Sequence, residues 1–368
     1  PSMEIRDLAP GTDTLDVTWD DGVTTTYLWL WLRDHSHDPA TLHPVIQQRL
    51  VFTAGVPADI AGVRAEVVDG ELVVDWVGGG TSRLPVSFLE RYRLPATVPT
   101  RIDIDRVLWD STTIYPTPSV PYDEVMGSDE GTIRWLQEVA RWGFALVTGT
   151  PATTDATKEL VERVAYIRES IFGGFWWFTA DLKHDDLAYT NTELLAHTDG
   201  TYSHDGPGLQ LLHCIEFLDP VGGDSTMVDG FRIAAELKDK NPEAYELLSS
   251  FSVPGQYIGD GAHLMSSRPV FRYDQTGELV QVSFNNGDRA PFLLHPDEQR
   301  AFYDALRAFE ELANDERLQW KHVLQPGEAM LFDNWRVLHG RKAYSGTRTL
   351  CGAYLNHEDF ESRLRRGV

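Results

Sequence analysis

The sequence predicts a mainly β protein with flanking helices, in which a small N-terminal β domain precedes a β-sandwich or jelly roll. Two observations support this prediction. Apolar residues that alternate with polar ones, such as Leu15, Val17 and Trp19, recur in short runs that indicate half-buried strands. Gly, Pro and Asp-Gly pairs interrupt these runs, whereas the apolar spacing of a helix occurs in only a few segments.

The N-terminal β domain is predicted over residues 1–95. Asp-Gly pairs at 21–22 and 69–70 separate alternating apolar runs, and such pairs tolerate the positive φ of a tight hairpin turn. Residues 96–128, which contain several Pro and Thr, predict a linker or a wrapping segment.

The third region, residues 129–368, is predicted to contain the jelly roll and its helices. Apolar residues at helical spacing predict one helix from Asp129 and another that includes residues 160–171. Two later helices begin at Asn241-Pro242 and at Pro296, because proline fits the first turn of a helix. Short apolar runs predict strands between and after them: GLQLLHCIEF, SFSVPGQYI, LVQVSFNN, EAMLFDN and TLCGAYL.

Composition limits the expected partners and location. The 32 Lys and Arg against 56 Asp and Glu give a net charge of −24, which repels phosphate backbones and argues against a nucleic-acid partner. An acidic surface would attract a cationic ligand, although it is also explained by solubility alone. Two cysteines, the absence of a basic-apolar leader and the lack of a membrane-length apolar run predict a cytoplasmic protein without a membrane partner.

A candidate metal site begins at His197 and Asp199, two residues apart. On an extended strand such residues point to the same side, so both can reach one ion. Two His and one carboxylate hold Fe(II) on one face and leave the other face open. His339, in DNWRVLHGR, is the best candidate for the second His, and Arg348 follows nine residues later with a planar fork that suits the distal carboxylate of 2-oxoglutarate.

Around this set the chain resembles the γ-butyrobetaine dioxygenase and trimethyllysine dioxygenase family, within the taurine-dioxygenase-like oxygenases. The N-terminal segments WLRDH and HPVIQQR resemble the small leading domain of that family. The matching segments of the larger region are FGGFWWFTAD, LAYTNTELLAHTDGTY, GLQLLHCI, GGDSTMVDGF, SFNNGDRAP, DNWRVLHGR and LCGAYL.

The resemblance implies a double-stranded β-helix that binds Fe(II), the cosubstrate 2-oxoglutarate and O₂, in a homodimer. Ser225, in the GGDS turn, would assist Arg348 with the distal carboxylate. The implied reaction converts 2-oxoglutarate and O₂ to succinate and CO₂ and hydroxylates an unactivated carbon of a small-molecule substrate, while the protein supplies geometry and excludes water.

The resemblance also implies an aromatic cage for a trimethylammonium group, formed by Trp176, Tyr189 and Tyr354. Each aromatic face attracts such a cation by roughly 0.5–2 kcal/mol. Phe172 stands where relatives often have Tyr, so the aromatic face is kept and a hydroxyl is lost. From composition alone, any single one of these aromatic residues is better explained as core.

One departure from the γ-butyrobetaine enzymes follows the candidate ligand Asp199. Gly200 stands where those enzymes have Tyr, and the next aromatic residue is Tyr202, a pattern more similar to the trimethyllysine branch. Trp177 and Trp335 are assigned to the core.

Four polar residues are candidates for the charged parts of the substrate. Asp186 either faces the substrate cation or an α-ammonium group, or is a solvated surface residue. Asn285, Asn286 and Arg289 are placed to hold the anionic end, for which an arginine fork suits carboxylate or phosphonate. An ordinary ion pair is the alternative for Arg289.

The substrate therefore stays open among γ-butyrobetaine, trimethyllysine and 2-(trimethylammonio)ethylphosphonate. One rival function is a taurine-type oxygenase of a small acid without a quaternary amine, against which the cage aromatics argue. Another is a metal-free betaine-binding module, against which the iron set and Arg348 argue.

Relatives in this family often bind zinc in the N-terminal domain through three Cys and a His. The three Cys positions fall here on Ser36, Asp38 and Thr41, which cannot form a thiolate-rich site. A rebuilt site would require Asp38 together with three histidines: His35, His37 and His43. Since adjacent histidines in a polar turn are usually solvent-exposed, we expect no structural zinc.

Overall fold

The computed structural model describes residues 2–94, 102–179 and 191–367. The chain divides into two compact units, residues 1–100 and 101–368. The mainly β architecture with flanking helices that the sequence predicts is confirmed in both units.

The first unit contains two antiparallel sheets, ordered β1-β2-β3 and β4-β5-β6. The predicted turn at Asp69 and Gly70, with φ of 50° and 78°, joins β4 to β5. The elements are β1 (Ile5–Pro10), β2 (Thr14–Trp19), β3 (Thr24–Leu28), α1 (Trp29–Asp34), a 3₁₀ turn (Thr53–Gly55), β4 (Gly62–Val68), β5 (Glu71–Trp76), β6 (Thr81–Pro85) and α2 (Val86–Arg91).

The core of the first unit is built around three buried tryptophans, Trp19, Trp29 and Trp76. Each indole N–H donates a hydrogen bond: from Trp19 to the Thr25 hydroxyl at 2.9 Å, from Trp29 to a backbone carbonyl at 3.0 Å, and from Trp76 to the Ser82 hydroxyl at 2.8 Å. The three indoles are therefore buried without leaving an N–H group that lacks an acceptor, and they stabilise the core of this small domain.

The loop after α1 is held by the Asp38 carboxylate. The Ser36 hydroxyl donates to one carboxylate oxygen at 2.5 Å, and the Thr41 hydroxyl lies 3.1 Å from both oxygens. Arg33 donates to the Thr41 hydroxyl at 2.8 Å, while the His35 ring stacks on Trp31 outside this network. The positions expected to replace zinc ligands therefore form a hydrogen-bonded cluster, which we call the Asp38 cluster.

The second unit contains a larger and a smaller sheet, two hairpins and several helices. Its elements are β7 (Ser119–Pro121), α3 (Tyr122–Gly127), α4 (Asp129–Trp142), β8 (Phe144–Thr148), α5 (Thr154–Val164), β9 (Ile167–Arg168), β10 (Trp176–Thr179), β11 (Leu194–His197), β12 (Leu209–Gly222), β13 (Ser225–Asp229), α6 (Gly230–Lys240), α7 (Pro242–Ser250), β14 (Val253–Gly259), β15 (Ala262–Arg268), β16 (Phe271–Tyr273), β17 (Leu279–Val282), α8 (Pro296–Ala313), β18 (Gln319–His322), β19 (Ala329–Asp333), β20 (Val337–Arg341), β21 (Tyr344–Leu355) and α9 (His357–Arg366).

The two sheets of this unit pack face to face. The larger has the order β10-β21-β12-β19-β8-β7, with β9 also paired to β21, and the smaller has the order β11-β20-β13-β18. Side chains from both sheets form the core between them, including Phe144, Cys214, Met227, Trp320 and Leu350. This arrangement leaves room between the sheets for a cavity at the end that carries β11 and β20.

Helices cover the outer face of each sheet. Buried residues of α4, α5 and α9 pack with the larger sheet, while those of α6, α7 and α8 pack with the smaller one. The predicted starts at Asn241-Pro242 and Pro296 are confirmed as the first turns of α7 and α8. No helix in the described ranges is long and apolar enough to cross a membrane.

The structure differs from the sequence prediction at the end of α5 and at Trp177. Helix α5 ends at Val164 and does not continue to residue 171. Ile167 instead belongs to β9, where it pairs with Leu355 of β21. Trp177 is not core: it is 61% exposed, since it points away from the side on which Trp176 faces the cavity. Residues 102–128, for which a linker or a wrapping segment is predicted, lie in the second unit, and Trp109 is fully buried there.

Candidate active site

Three candidate metal ligands meet at one end of the smaller sheet. His197 is the last residue of β11 and lies directly opposite His339 of β20, and Asp199 follows two residues later. The Asp199 Oδ1 atom lies 3.3 Å from His197 Nε2 and 3.6 Å from His339 Nε2. Within the described ranges, this is the one group of three or more His, Cys, Asp or Glu side chains with ligand atoms close enough to share an ion, all within 4.8 Å.

The orientation of His197 is set by its own strand. Its Nδ1 atom lies 2.7 Å from the Leu195 carbonyl oxygen, which can only accept a hydrogen bond. Nδ1 therefore carries a proton, and the ring turns Nε2 toward Asp199.

Asp199 is held through both its backbone and its side chain. The Asn334 side chain accepts a hydrogen bond from the Asp199 N–H at 2.8 Å and donates to the Asp199 carbonyl at 3.0 Å and to the Pro207 carbonyl at 2.9 Å. The Tyr354 hydroxyl donates to Asp199 Oδ2 at 2.7 Å, which leaves Oδ1 facing the two imidazoles. Asn334 and Tyr354 thus fix the one carboxylate of the site.

The electrostatics of the site favour a cation between these ligands. Burial opposes ionisation of Asp199, but His339 and His197 and the hydrogen bonds that it accepts hold its pKa well below the usual range. Burial lowers the pKa of His339 to about 4, so this ring is neutral at neutral pH. Burial also opposes protonation of His197, yet the adjacent Asp199 carboxylate gives its pKa a net rise. An anionic carboxylate beside imidazole nitrogens is a donor set that suits a divalent metal ion.

Arg348 lies on β21 and lines the same cavity. Its side chain is 2% exposed, and its Nε and Nη1 atoms have no hydrogen-bond partner among the described residues. The guanidinium lies over the rings of Phe217 and Tyr344, 5.5 Å from each centroid. Because a buried cation with unused donors is costly, the position is suited to a ligand carboxylate.

The predicted site residues that the structure describes come together in one cavity of about 670 Å³. Its lining includes the three candidate metal ligands and Phe172, Trp176, Tyr202, Ser225, Asn285, Asn286, Arg289, Arg348 and Tyr354. Asp186 and Tyr189 lie outside the described residues.

Three of the predicted polar residues make hydrogen bonds within their own loop. Asn285 accepts a hydrogen bond from the Gly287 N–H at 2.9 Å and donates to Asp288 at 2.9 Å. Arg289 donates to Asn286 at 3.3 Å, and its guanidinium lies 5.9 Å from the ring centroid of Phe302. These contacts shape the cavity wall and leave the role of these residues toward a substrate as a prediction.

Sequence reasoning missed several residues of the site. Asn334 belongs to the quoted DNW segment, but its clamp on Asp199 joins residues 135 positions apart and no local pattern indicates it. Tyr257, Asp288 and Arg341 also line the cavity. Trp335, assigned to the core, is half-buried and stacks on His357 with the ring centroids 4.2 Å apart.

Comparisons with known proteins agree with the arrangement of both units. Residues 111–354 match the model of the taurine catabolism dioxygenase TauD, TfdA family. Residues 7–84 match the N-terminal domain described as gamma-butyrobetaine hydroxylase-like.

Two curated relatives cover nearly the whole chain. A trimethyllysine dioxygenase of Meyerozyma guilliermondii is 33% identical, over 96% of this chain and 93% of the relative. The human gamma-butyrobetaine dioxygenase is 30% identical, over 96% of this chain and 94% of the relative. A crystal structure of a putative alpha-ketoglutarate-dependent taurine dioxygenase from Burkholderia xenovorans has a TM-score of 0.52 at 14% identity, over 70% of this chain and 93% of that one, and shows the shared fold.

Proposed function

Since the chain belongs to the TauD/TfdA family and is an Fe(II)- and 2-oxoglutarate-dependent dioxygenase, we propose that it hydroxylates an unactivated carbon of a small trimethylammonium zwitterion. The family membership confirms the enzyme class and the jelly-roll fold that the sequence predicts. The observation that best supports the proposal is a cavity that combines the three candidate ligands, a buried arginine and several aromatic rings.

In this proposal His197, Asp199 and His339 hold the iron. Their convergent ligand atoms and the shifted pKa values of Asp199 and His339 support this assignment. When bound, Fe(II) with 2-oxoglutarate supplies the oxidising chemistry that couples succinate formation to hydroxylation. The residues keep the carboxylate ionised, orient the imidazoles and leave one side of the ion open.

Arg348 and Ser225 are proposed to hold the distal carboxylate of 2-oxoglutarate. The unused Nε and Nη1 donors of Arg348 support this role, and Ser225, the first residue of β13, lines the same cavity. The apolar neighbours of Arg348 lower the local dielectric, so that a carboxylate would bind there more strongly than at an exposed arginine.

The substrate is proposed to place its trimethylammonium group against aromatic rings of the cavity wall. Phe172, Trp176 and Tyr202 line this cavity together with Tyr354, whose hydroxyl bonds to Asp199 and brings its ring next to the metal ligands. Trimethyllysine is the first candidate because of the named relatives. γ-Butyrobetaine and 2-(trimethylammonio)ethylphosphonate follow.

Roles for the remaining predicted residues complete the proposal. Tyr189 and Asp186 contribute to the cation site, while Asn285, Asn286 and Arg289 hold the anionic end. The protein is further proposed to be a cytoplasmic homodimer, to bind neither nucleic acid nor membrane, and to lack zinc in its first unit.

The test is a substrate panel. Purified protein with Fe(II), ascorbate and 2-oxoglutarate is incubated with each trimethylammonium candidate, with taurine, and with the neutral tert-butyl isostere of each candidate. Succinate formation and a mass gain of one oxygen atom identify the substrate. We expect the best substrate to be a trimethylammonium compound; equal rates for a compound and its neutral isostere, or turnover of taurine alone, would reject the proposal.

A further inference from the structure

The hairpin formed by β14 and β15 brings one more aromatic ring to the cavity. Tyr257, on β14, lines the cavity and is 5% exposed. Strand β14 passes close to the loop after Asp199: a Cβ on Gly255 would lie 2.9 Å from the Thr201 carbonyl oxygen. Only a glycine at position 255 permits this approach, and the approach sets Tyr257 beside the loop that carries Tyr202.

Tyr257 joins two aromatic residues that are distant in the sequence. Its ring centroid lies 5.6 Å from that of Phe172, in an edge-to-face arrangement, and 5.2 Å from that of Tyr202. All three residues line the cavity, so they form a continuous aromatic wall with Tyr257 at its centre. Aromatic pairs at these separations support each other's orientation.

Position 200 cannot contribute a ring to this part of the cavity. Gly200 has a φ of +69°, and a Cβ there would lie 2.4 Å from Pro207 Cδ. The aromatic rings of this part of the cavity must therefore come from other segments, among them Phe172, Tyr202 and Tyr257.

The Tyr257 hydroxyl donates to Asp260 Oδ2 at 2.5 Å. Asp260 has a φ of +49° and, with Gly261, forms the tight turn between β14 and β15. A phenol that donates to a carboxylate has a more electron-rich ring, and the carboxylate adds its own negative potential. Both effects strengthen the attraction of the ring face for a cation.

We propose that Tyr257, anchored by Asp260, is a specificity-determining residue that contacts the trimethylammonium group of the substrate. This inference rests on the proposed function and adds a ring that the sequence did not indicate. The wall formed by Phe172, Tyr257 and Tyr202 would select a quaternary cation over a neutral group of the same shape. Any apolar surface can fit the shape, but aromatic ring faces also attract the positive charge.

The experiment compares the preferred trimethylammonium substrate with its tert-butyl isostere in wild-type enzyme and three variants. Tyr257→Leu should raise the KM for the cation about 2- to 30-fold, with less change in the KM for the isostere and in the kcat for the cation. Asp260→Asn keeps a hydrogen-bond acceptor but removes the charge, and should give a smaller rise in the same direction. Tyr257→Phe keeps the aromatic face and should lie between wild type and Tyr257→Leu.

Tyr166→Leu is the matched control, because Tyr166 is 81% exposed and is not among the residues that line the cavity. It should leave both KM values unchanged. If the wild type prefers the cation but Tyr257→Leu and Asp260→Asn keep the full preference, the inference about Tyr257 is wrong and the proposed function stands. If the wild type itself shows no preference for the cation, both are wrong. If Tyr257→Leu does not fold, Asp260→Asn and Tyr257→Phe decide the matter.

Discussion

Two polar clusters, one in each unit, are centred on an aspartate but use it in opposite ways. In the Asp38 cluster both carboxylate oxygens accept hydrogen bonds, from Ser36 and Thr41. At the candidate iron site, Asp199 Oδ1 instead faces two imidazole nitrogens at 3.3 and 3.6 Å. Because the Nε2 atoms of both imidazoles face this oxygen, a proton or a metal ion must lie between atoms that would otherwise repel each other.

This difference distinguishes a candidate metal site from a cluster of matched hydrogen bonds. A cluster whose donors and acceptors already match gains nothing from a cation, whereas convergent acceptors require one. Histidines that are close to a carboxylate in the sequence need not converge on it. His35, His37 and His43 lie near Asp38 in the sequence, yet His35 stacks on Trp31 and His37 packs on Phe88, with ring centroids 4.6 Å apart.

The largest expected effect comes from removing a convergent acceptor. Asp199→Ala or His197→Ala should reduce substrate-dependent succinate formation by more than about 100-fold, because even outer partners of metal ligands contribute about 10–100-fold. The variants should remain folded by circular dichroism. Full activity in either one would show that the iron is held elsewhere.

A third cluster, around His357, contains charged groups that pair with one another. His357 lies 3.3 Å from Asp333 and 3.1 Å from Glu361. Burial opposes its protonation, but these carboxylates raise its pKa to about 9. Arg106 also acts on the Asp333 carboxylate, whose pKa is lowered.

The raised pKa gives a pH dependence of stability with a defined sign. Because the pKa of His357 is higher in the folded protein than the ordinary 6.5, its contribution is fully present below pH 6.5 and is lost as the pH rises through about 9. At about 1.4 kcal/mol per pKa unit, this amounts to about 3 kcal/mol. Denaturant unfolding at pH 6.5 and 9.5 should show this extra loss in the wild type and in the exposed control His263→Gln, but not in His357→Gln. An equal loss in all three would contradict it.

Asn334 makes two hydrogen bonds to the Asp199 backbone, and we expect these to support metal binding by the Asp199 carboxylate. Asn334→Ala should weaken Fe(II) binding by about 10–100-fold, as is typical for outer partners of metal ligands. The control is Asn241→Ala, which removes a helix cap at α7 and should lower the free energy of unfolding by about 1 kcal/mol without changing Fe(II) affinity. Anaerobic titration with Fe(II) measures the Fe(II) affinity of each variant. Equal affinities in Asn334→Ala and Asn241→Ala would contradict the role assigned to Asn334.

The smallest effect, on the free energy of unfolding, is expected for the Asp38 cluster. Asp38→Ala leaves the hydroxyls of Ser36 and Thr41, both 1% exposed, without their acceptor, at a cost of about 1–3 kcal/mol. Asp16→Ala, which removes an exposed acceptor for the Thr26 hydroxyl, is the matched control and should cost less. Unfolding of the wild type should be insensitive to chelators. A loss of stability on chelation in a protein that already lacks the iron site would indicate zinc.

Local patterns were enough to predict features that depend on neighbouring residues. The helix starts at Asn241-Pro242 and Pro296 and the hairpin at Asp69-Gly70 follow from backbone geometry that proline and glycine impose directly. The spacing of His197 and Asp199 predicted that both can reach one ion, although β11 ends at His197 and Asp199 lies in the bend that follows. The order of the residues, with a distant His and then an Arg after His197 and Asp199, indicated His339 and Arg348, which the fold brings into the same cavity.

Features created by long-range packing could not be predicted in this way. The end of α5 is set by pairing of Ile167 with a strand nearly two hundred residues later. The place of Tyr257 depends on the close approach of Gly255 to Thr201, and the exposure of Trp177 depends on which face of β10 meets the cavity. Each of these features depends on contacts with residues that are distant in the sequence.

Elemental analysis of the wild type and Asp199→Ala, each purified after equilibration with Fe(II) and Zn(II) and removal of free metal, tests the central contrast most directly. We expect about one metal ion per wild-type chain and essentially none in Asp199→Ala, since both carboxylate oxygens of Asp38 already accept hydrogen bonds. A metal content that is the same in both proteins would contradict it, because the ion would then be held outside the site formed by His197, Asp199 and His339.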